Sequence, residues 1–405
     1  MYWKESLNRK YMWREFFPAF VVVVNSLTWN AFVLSIFSNE INSLLVSPIE
    51  ILTFFSVEYI AIAVSAILGS IYFPRLRRIS LFVWMISGAI ATIMLITIQN
   101  NGTPTNLLIS SFLGISVGAG LPSSLACFAD STNIENRGFF GGLTYFFVGC
   151  STVFFFVIMI FFSSVATVLA IILWRIMGAL LFLLTYKDKK AKQEPNVPPY
   201  SHVRSQRGLL LYLGPWVMFC LVNWMEAPLL ANLFGELYSR IGFIEVIVSG
   251  MVALLGGIIA DFAGRKRVII IGFVILGVDY AVLSLLSMLQ VSWYIYAALD
   301  SIAWGMFASV FFMTLWGDLA GSYQKEKYYT LGGLPYLLAM FLSELVKPYV
   351  EVMPLATAFS LASFFLFLAV VPLMYADETL PEKKIKEREL KDYIEKAKKI
   401  RGKHP

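Results

Sequence analysis

Runs of apolar residues too long for a soluble core decide what this chain can fold into. Phe154–Phe162, Val165–Leu184 and Val268–Leu289 are nearly free of charge. A run of about 18 or more such residues reads as a membrane-spanning helix. The apolar residues come in solid blocks, without the spacing of a helix or strand that has one wet face. Only 14% of the chain is charged and 58% is hydrophobic, whereas soluble domains carry roughly 25% charged residues. Such a chain cannot cover itself with polar surface in water.

The blocks predict twelve helices, at 16–38, 49–73, 79–98, 106–129, 138–162, 165–186, 208–230, 241–260, 268–290, 292–317, 328–350 and 355–376. The expected class is an all-α membrane protein with two six-helix halves, 1–186 and 208–376. Between them, 187–207 holds Lys187, Lys189, Lys190, Lys192, Pro195, Pro198 and Pro199 and reads as a charged, proline-broken linker. The basic tail, 377–405, can form a helix over 382–401 with Ile385, Leu390, Ile394 and Ala397 on one face, either solvated or lying on anionic lipid. Lys4, Arg9, Lys10 and Arg14 precede a first apolar run that is too long for a signal-peptide core and lacks a small-residue cleavage site. That run is expected to stay attached as the first helix.

Positive charge tests this layout. With the N-terminus inside and the helices alternating, all but three of the 32 Lys and Arg residues fall on the inner side. Arg240 and Lys347 fall outside, and Arg175 lies within helix six. Inner loops are enriched in Lys and Arg, so both termini are expected in the cytoplasm of a cell whose plasma membrane the chain spans many times. The net charge of +6 is then an orientation signal, and no nucleic-acid partner is implied. Cys127, Cys150 and Cys220 sit inside apolar blocks without metal-ligand spacing. His202 and His404 lie outside them. No metal, cofactor or catalytic triad is expected.

The halves repeat one another. Gly69 and Gly257, Arg77 and Arg265, and Asp130 and Asp318 are each separated by 188 positions. Gly141-Gly142 and Gly332-Gly333 follow after a three-residue insertion. Repeated halves with the solute site between them are a transporter signature.

The string Gly257-Ile258-Ile259-Ala260-Asp261-Phe262-Ala263-Gly264-Arg265-Lys266-Arg267 resembles the loop motif of the major facilitator superfamily. Gly257 allows close helix approach, Gly264 a tight turn, and Arg265 and Lys266 an anchor to the inner face. Asp261 can accept hydrogen bonds from a helix N-terminus of the other half, where the dipole favours an anion. The first-half copy, Gly69 to Arg78, has Phe73 where the family has Asp and Leu76 for the second glycine. Helix four, from Gly114 to Pro122 and on to Asp130, Arg137 and Gly138, is similar to that of many members. Ser110 stands where many carry an arginine linked to proton coupling, and helix five lacks the Gly-Pro signature of drug antiporters. Glu378-Thr379-Leu380-Pro381-Glu382 resembles the ending most familiar in sugar porters.

The resemblance implies twelve helices, of which one, four, seven and ten line the cavity and two, five, eight and eleven flank it. The cavity candidates are then Asn25, Trp29, Asn30, Asn223, Trp224, Glu226, Asp300 and Trp304, whose amides and flat rings suit a polar organic solute such as a sugar. A charge at a helix centre costs about 2.5–3.5 kcal/mol on insertion scales, so each needs a partner or a task. With no membrane histidine, any coupling proton must ride on a carboxylate: Glu226 and Asp300 first, then Glu58 and Glu344. Arg175 and Asp279 fall on outer helices and are read as structural, in an ion pair or against lipid headgroups. The expected function is carriage of a small organic solute, a sugar or metabolite, by alternating access. Rivals are a non-transporting sensor and a membrane-embedded enzyme. The enzyme would need a polar cluster at one face and a sizeable loop.

Overall fold

The computed structural model describes residues 9–187, 198–235, 237–350 and 352–380, together with Leu390. The tail helix and most of the linker lysines lie outside these residues. Eleven stretches of the described residues are long and apolar enough to cross a membrane. One of them, Pro48–Leu95, has 48 residues, twice what a bilayer requires. A 3₁₀ turn at Phe73–Leu76 divides it, because Pro74 has no N–H to continue an α-helix. The total is therefore twelve spans.

They are α1 (Arg9–Asn42), α2 (Pro48–Tyr72), α3 (Arg77–Leu95), α4 (Thr103–Gly118, resumed as Leu121–Ser131), α5 (Arg137–Phe161) and α6 (Ser164–Thr185). After a short helix at Tyr200–Arg204 come α7 (Arg207–Phe234), α8 (Leu237–Ala263) and α9 (Arg265–Leu286). Next is α10, which runs from Gln290–Phe307 through a π-helical stretch, Ala308–Thr314, to Leu315–Ala320. The last two are α11 (Glu326–Val350) and α12 (Leu355–Leu368, then Val370–Tyr375). Ends are set by local chemistry. Ser47 and Glu50 form a reciprocal capping box ahead of Pro48, which satisfies two orphan donors of α2.

Packing repeats between the halves. In the first half α2 lies on α4, α3 on α4 and α6, and α1 on α5 and α6. Adding six to each label gives the second half: α8 on α10, α9 on α10 and α12, α7 on α11 and α12. The halves meet where α5 runs along α8 and α2 along α11. Glycines let the first of these pairs close. A Cβ on Gly257 would overlap the Gly138 carbonyl, and one on Gly142 would overlap that of Ala253. Small residues are the usual means of such backbone approach in a membrane, where apolar burial alone drives nothing.

Arg77, Arg137, Arg207 and Arg265, expected in loops, open α3, α5, α7 and α9 instead. A cation is unfavourable at the positive end of a helix dipole. Carboxylates from elsewhere in the fold answer it at α5 and α9.

Candidate functional site

Gly264 has φ +100°, a conformation open to glycine at little cost. It turns the chain so that α9 starts beneath Glu378, which accepts from the Arg265 and Lys266 N–H groups at 2.8 and 3.1 Å. Glu378, read in the sequence only as part of a family-like ending, is thus the anion at the α9 N-terminus. Asp261 does the same for α5 from the other half, accepting from the Gly138 and Phe139 N–H groups at 2.9 and 2.7 Å. It also pairs with Arg265 one turn on, at 2.8 Å.

Around these caps lies a latch of charged groups at the basic-loop face. Arg77 pairs with Asp130 of its own half at 2.8 Å and with Glu326 of the other half. Arg265 pairs with Asp318 of its own half at 3.1 Å. Asp130 then takes Lys325 across the boundary, and Asp318 takes Arg137. Gln324 donates to the Ser70 carbonyl at 2.9 Å, and Arg265 to that of Ile134 at 2.6 Å. This end of the molecule is closed by bonds between the halves. Arg265 and Asp318 are fully buried. In such surroundings a missing partner costs far more than an exposed ion pair contributes.

Deeper in the molecule, rings from both halves gather. Trp224 of α7 lies 5.4 Å from Tyr336 of α11. Trp304 of α10 lies 6.2 Å from Tyr336 and stacks on Phe312 at 6.3 Å. Tyr145 of α5, in the first half, stacks on Phe312 at 6.4 Å. All five are half-buried. Two turns of an ordinary helix advance about seven residues, and a π turn takes up one more. The π stretch therefore brings Phe312 onto the face of Trp304. The sequence singles out Trp224 and Trp304. It hides Phe312, Tyr336 and Tyr145, since nothing among 34 Phe and 19 Tyr marks them out.

The other expected cavity residues are dispersed. Asn25 and Trp29 face the interior of the first half and hold Arg175. Its guanidinium donates to Asn25 and Ser26 at 3.1 and 2.8 Å and lies 4.4 and 4.5 Å from the rings of Trp29 and Trp84. Trp29 in turn donates to Thr92 at 2.8 Å. Arg175 and Asp279 lie in different halves and make no pair with each other. Both are fully buried, which excludes contact with lipid headgroups. Two tryptophans and an amide stand in for an anion beside Arg175, and neither Asp279 oxygen has a hydrogen-bond partner. Asn30 is buried with a free carbonyl oxygen, and Asn223 is half-buried.

Glu58 and Glu344 come together across the boundary. They line one cavity of about 20 Å³ between α2 and α11, beside the stacked rings of Tyr59 and Phe341 at 5.4 Å. That volume suits a single water, not a solute. Glu226 and Asp300 are buried inside the second half. Among the described residues no group of His, Cys, Asp and Glu is arranged to hold a metal ion.

A family model described as Major Facilitator Superfamily matches residues 18–343. No curated protein matches the chain. Among solved structures, a proton:xylose symporter, XylE, bound to 6-bromo-6-deoxy-D-glucose is similar in fold. Its TM-score is 0.67 at 15% identity over 92% of this chain and 97% of that one. An E. coli fucose:proton symporter, FucP, has a TM-score of 0.69 at 10% identity over 89% and 97%.

Proposed function

The chain belongs to the major facilitator superfamily, a multi-pass membrane transporter family, and on that premise we propose that it carries a small polar organic solute by alternating access of its two halves. The observation that carries the reading is the ring cluster Tyr145, Trp224, Trp304, Phe312 and Tyr336. It spans both halves, deeper in the molecule than the latch that ties them at the basic-loop face. Flat rings stack on the apolar faces of sugars, and the unpartnered indole N–H of Trp224 offers a donor to a hydroxyl. Two fold neighbours are named as xylose and fucose symporters with protons, which makes sugars and protons the first solute and coupling ion to test. Asn30 and Asn223 are further solute candidates. Glu226 and Asp300, then Glu58 and Glu344, are the coupling candidates. The charge asymmetry of the loops supports a plasma-membrane protein with both termini in the cytoplasm.

The test is uptake into proteoliposomes of a panel of sugars, carboxylates and amino acids, with and without an imposed pH gradient. Saturable uptake of a sugar, concentrated only under the gradient, is expected. A chain that binds a solute but moves none across the bilayer is a sensor, and the transport reading fails.

A further inference from the structure

Four carboxylates sit at one depth inside the second half with no cation among them. Their level follows from the packing. Phe219 and Phe234 of α7 touch Phe307 and Tyr296 of α10 at 4.7 and 5.3 Å, so Glu226, midway between them, lies beside Asp300. Gly272 of α9 faces the Phe307 ring, and Tyr280 lies 6.3 Å from Tyr296, which brings Asp279 to the same level. Gly305 faces Ser249 and Val252 of the parallel helix α8, which places Glu245 one turn up, again beside Asp300. Asp300 is within electrostatic range of both Glu245 and Asp279. Tyr280 feels Asp300, Glu226 and Asp279 together. Glu245 was missing from the sequence candidates, and only the packing draws it in.

The facing groups are tyrosines: Tyr238 on α8, Tyr280 on α9 and Tyr296 on α10. Between their ends α7, α9 and α10 carry no Lys, Arg or His, and Arg240, near the outer end of α8, is exposed. Asp279 is fully buried with both oxygens unpartnered. One oxygen each of Glu226, which is 7% exposed, and of Glu245 is also unpartnered. Charges so placed in a membrane interior need a neutralising ion. No three of these side chains converge as metal ligands among the described residues, and the proton is the neutralising ion that needs only one oxygen of each carboxyl.

We propose that this layer of Glu226, Glu245, Asp279 and Asp300 is a proton-binding site enclosed within the second half, and that α10 transmits its charge to the latch. The inference rests on the alternating-access reading and supplies the coupling-ion site. Helix α10 carries Asp300 in the layer, Trp304 and Phe312 in the ring cluster, and Asp318 in the latch. The π stretch carries Phe312 itself and leads on to the latch; its Thr314 hydroxyl bonds the Ser309 and Val310 carbonyls at 3.2 and 3.1 Å, while the Tyr329 hydroxyl donates to the Met313 carbonyl at 2.6 Å. π segments occur frequently at functional sites. With a proton on a carboxyl oxygen of each member the layer is neutral, α8, α9 and α10 pack together, and the latch closes. When the protons leave, the bare carboxylates repel. The π stretch absorbs the shift, and Asp318 leaves Arg137 of the other half while keeping Arg265 of its own.

The experiment needs no solute, because the probes are protons and sodium ions. Spin labels are placed at Leu76→Cys and Ser322→Cys, exposed positions on the two halves at the latched face, in a Cys150→Ser background. Their distance distribution is measured in lipid nanodiscs from low to high pH. The parent should lose its latched population about tenfold as pH rises, within the usual range of allosteric coupling. Asp279→Asn and Glu245→Gln should each flatten that response. Two variants guard against one failing to fold. A flat parent overturns the proposal, as does a full parental response in both variants. So does a distance that moves with sodium at fixed pH, which would assign the site to a metal cation. Failed solute uptake with an intact pH response sinks the transport reading alone, and uptake with a flat response sinks the proton site alone.

Discussion

Asp261→Asn isolates the part of the latch that differs between conformations. Its carboxylate accepts two N–H bonds from α5 of the other half, at 2.9 and 2.7 Å. On the alternating-access reading these bonds exist only while the halves are closed at this face. Its 2.8 Å pair with Arg265 lies within one half and is present in either state, so it cancels. Asp261 is 5% exposed, so solvent screens little of the interaction. A hydrogen bond to a charged group contributes about 1.5–3 kcal/mol. Asparagine keeps one acceptor oxygen, loses the second bond, and loses the charge that favours a helix N-terminus. The closed state should weaken by about 2–3 kcal/mol relative to the open one, a shift of roughly 30- to 140-fold in their ratio. Spin-label distances across the latched face would show the shift directly. Solute affinity, which the proposed function assigns to the ring cluster, should change little while the uptake rate falls. A large loss of binding with an unchanged distance distribution would refute the reasoning.

Gly257→Val should hold α5 and α8 apart, since its Cβ meets the Gly138 carbonyl; cysteine cross-links between Leu76 and Ser322 positions should then form poorly, and parental cross-linking would count against this. Arg175→Lys should lower thermal stability in detergent, because a desolvated cation over an aromatic ring is worth about 2 kcal/mol and lysine cannot stack between Trp29 and Trp84; an unchanged melting temperature would contradict it. Trp304→Ala should weaken solute binding about tenfold if the stacked ring contributes about 1.4 kcal/mol, as read by calorimetric titration; parental affinity would count against the ring cluster as the solute site. A cysteine at Asn101 should react with an impermeant label added to intact cells and one at Leu76 should not; the reverse pattern would invert the proposed orientation.

The twelve spans were legible because each block of apolar residues has a single use in a chain this poor in charge. The break at Pro74 falls between two helices that the sequence already separates, and the one just before Pro122 only divides a helix that was already visible. The ring cluster was half legible. Trp224 and Trp304 stand out by type, but Phe312 joins them through a π turn, which no pattern of hydrophobicity reveals, and Tyr145 and Tyr336 are common types that only the helix packing brings in. Asn25 and Trp29 have the chemistry of a sugar site and sit on a cavity helix of the family. Even so they turn inward to Arg175, because a buried guanidinium without an anion needs a partner more than a solute does. Side-chain type therefore narrowed the candidates, and the direction in which each helix faces decided among them.

The 188-residue register explains why a latch could survive the loss of its motif in the first half. Positions 77, 130 and 137 in the first half recur as 265, 318 and 325 in the second: Arg, Asp, Arg and Arg, Asp, Lys. Within each half the first pair bonds, Arg77 to Asp130 and Arg265 to Asp318. Across the boundary the arms are exchanged, with Lys325 going to Asp130 and Arg137 to Asp318. Each acid thus joins one cation of its own half to one of the other, and two such joints resist separation together. In the second half Asp261 gives Arg265 a further carboxylate. Its counterpart is Phe73, which can accept nothing, and Arg77 would be left with an exposed acid alone. Glu326, in the first turn of α11, fills that place from the opposite half. The substitution moves a carboxylate from the loop that carries the arginine to the helix that faces it. Charge balance is kept, and a bond that would have lain within one half now spans both. Glu326 thus gives Arg77 the carboxylate that Asp261 gives Arg265, and it does so from the opposite half.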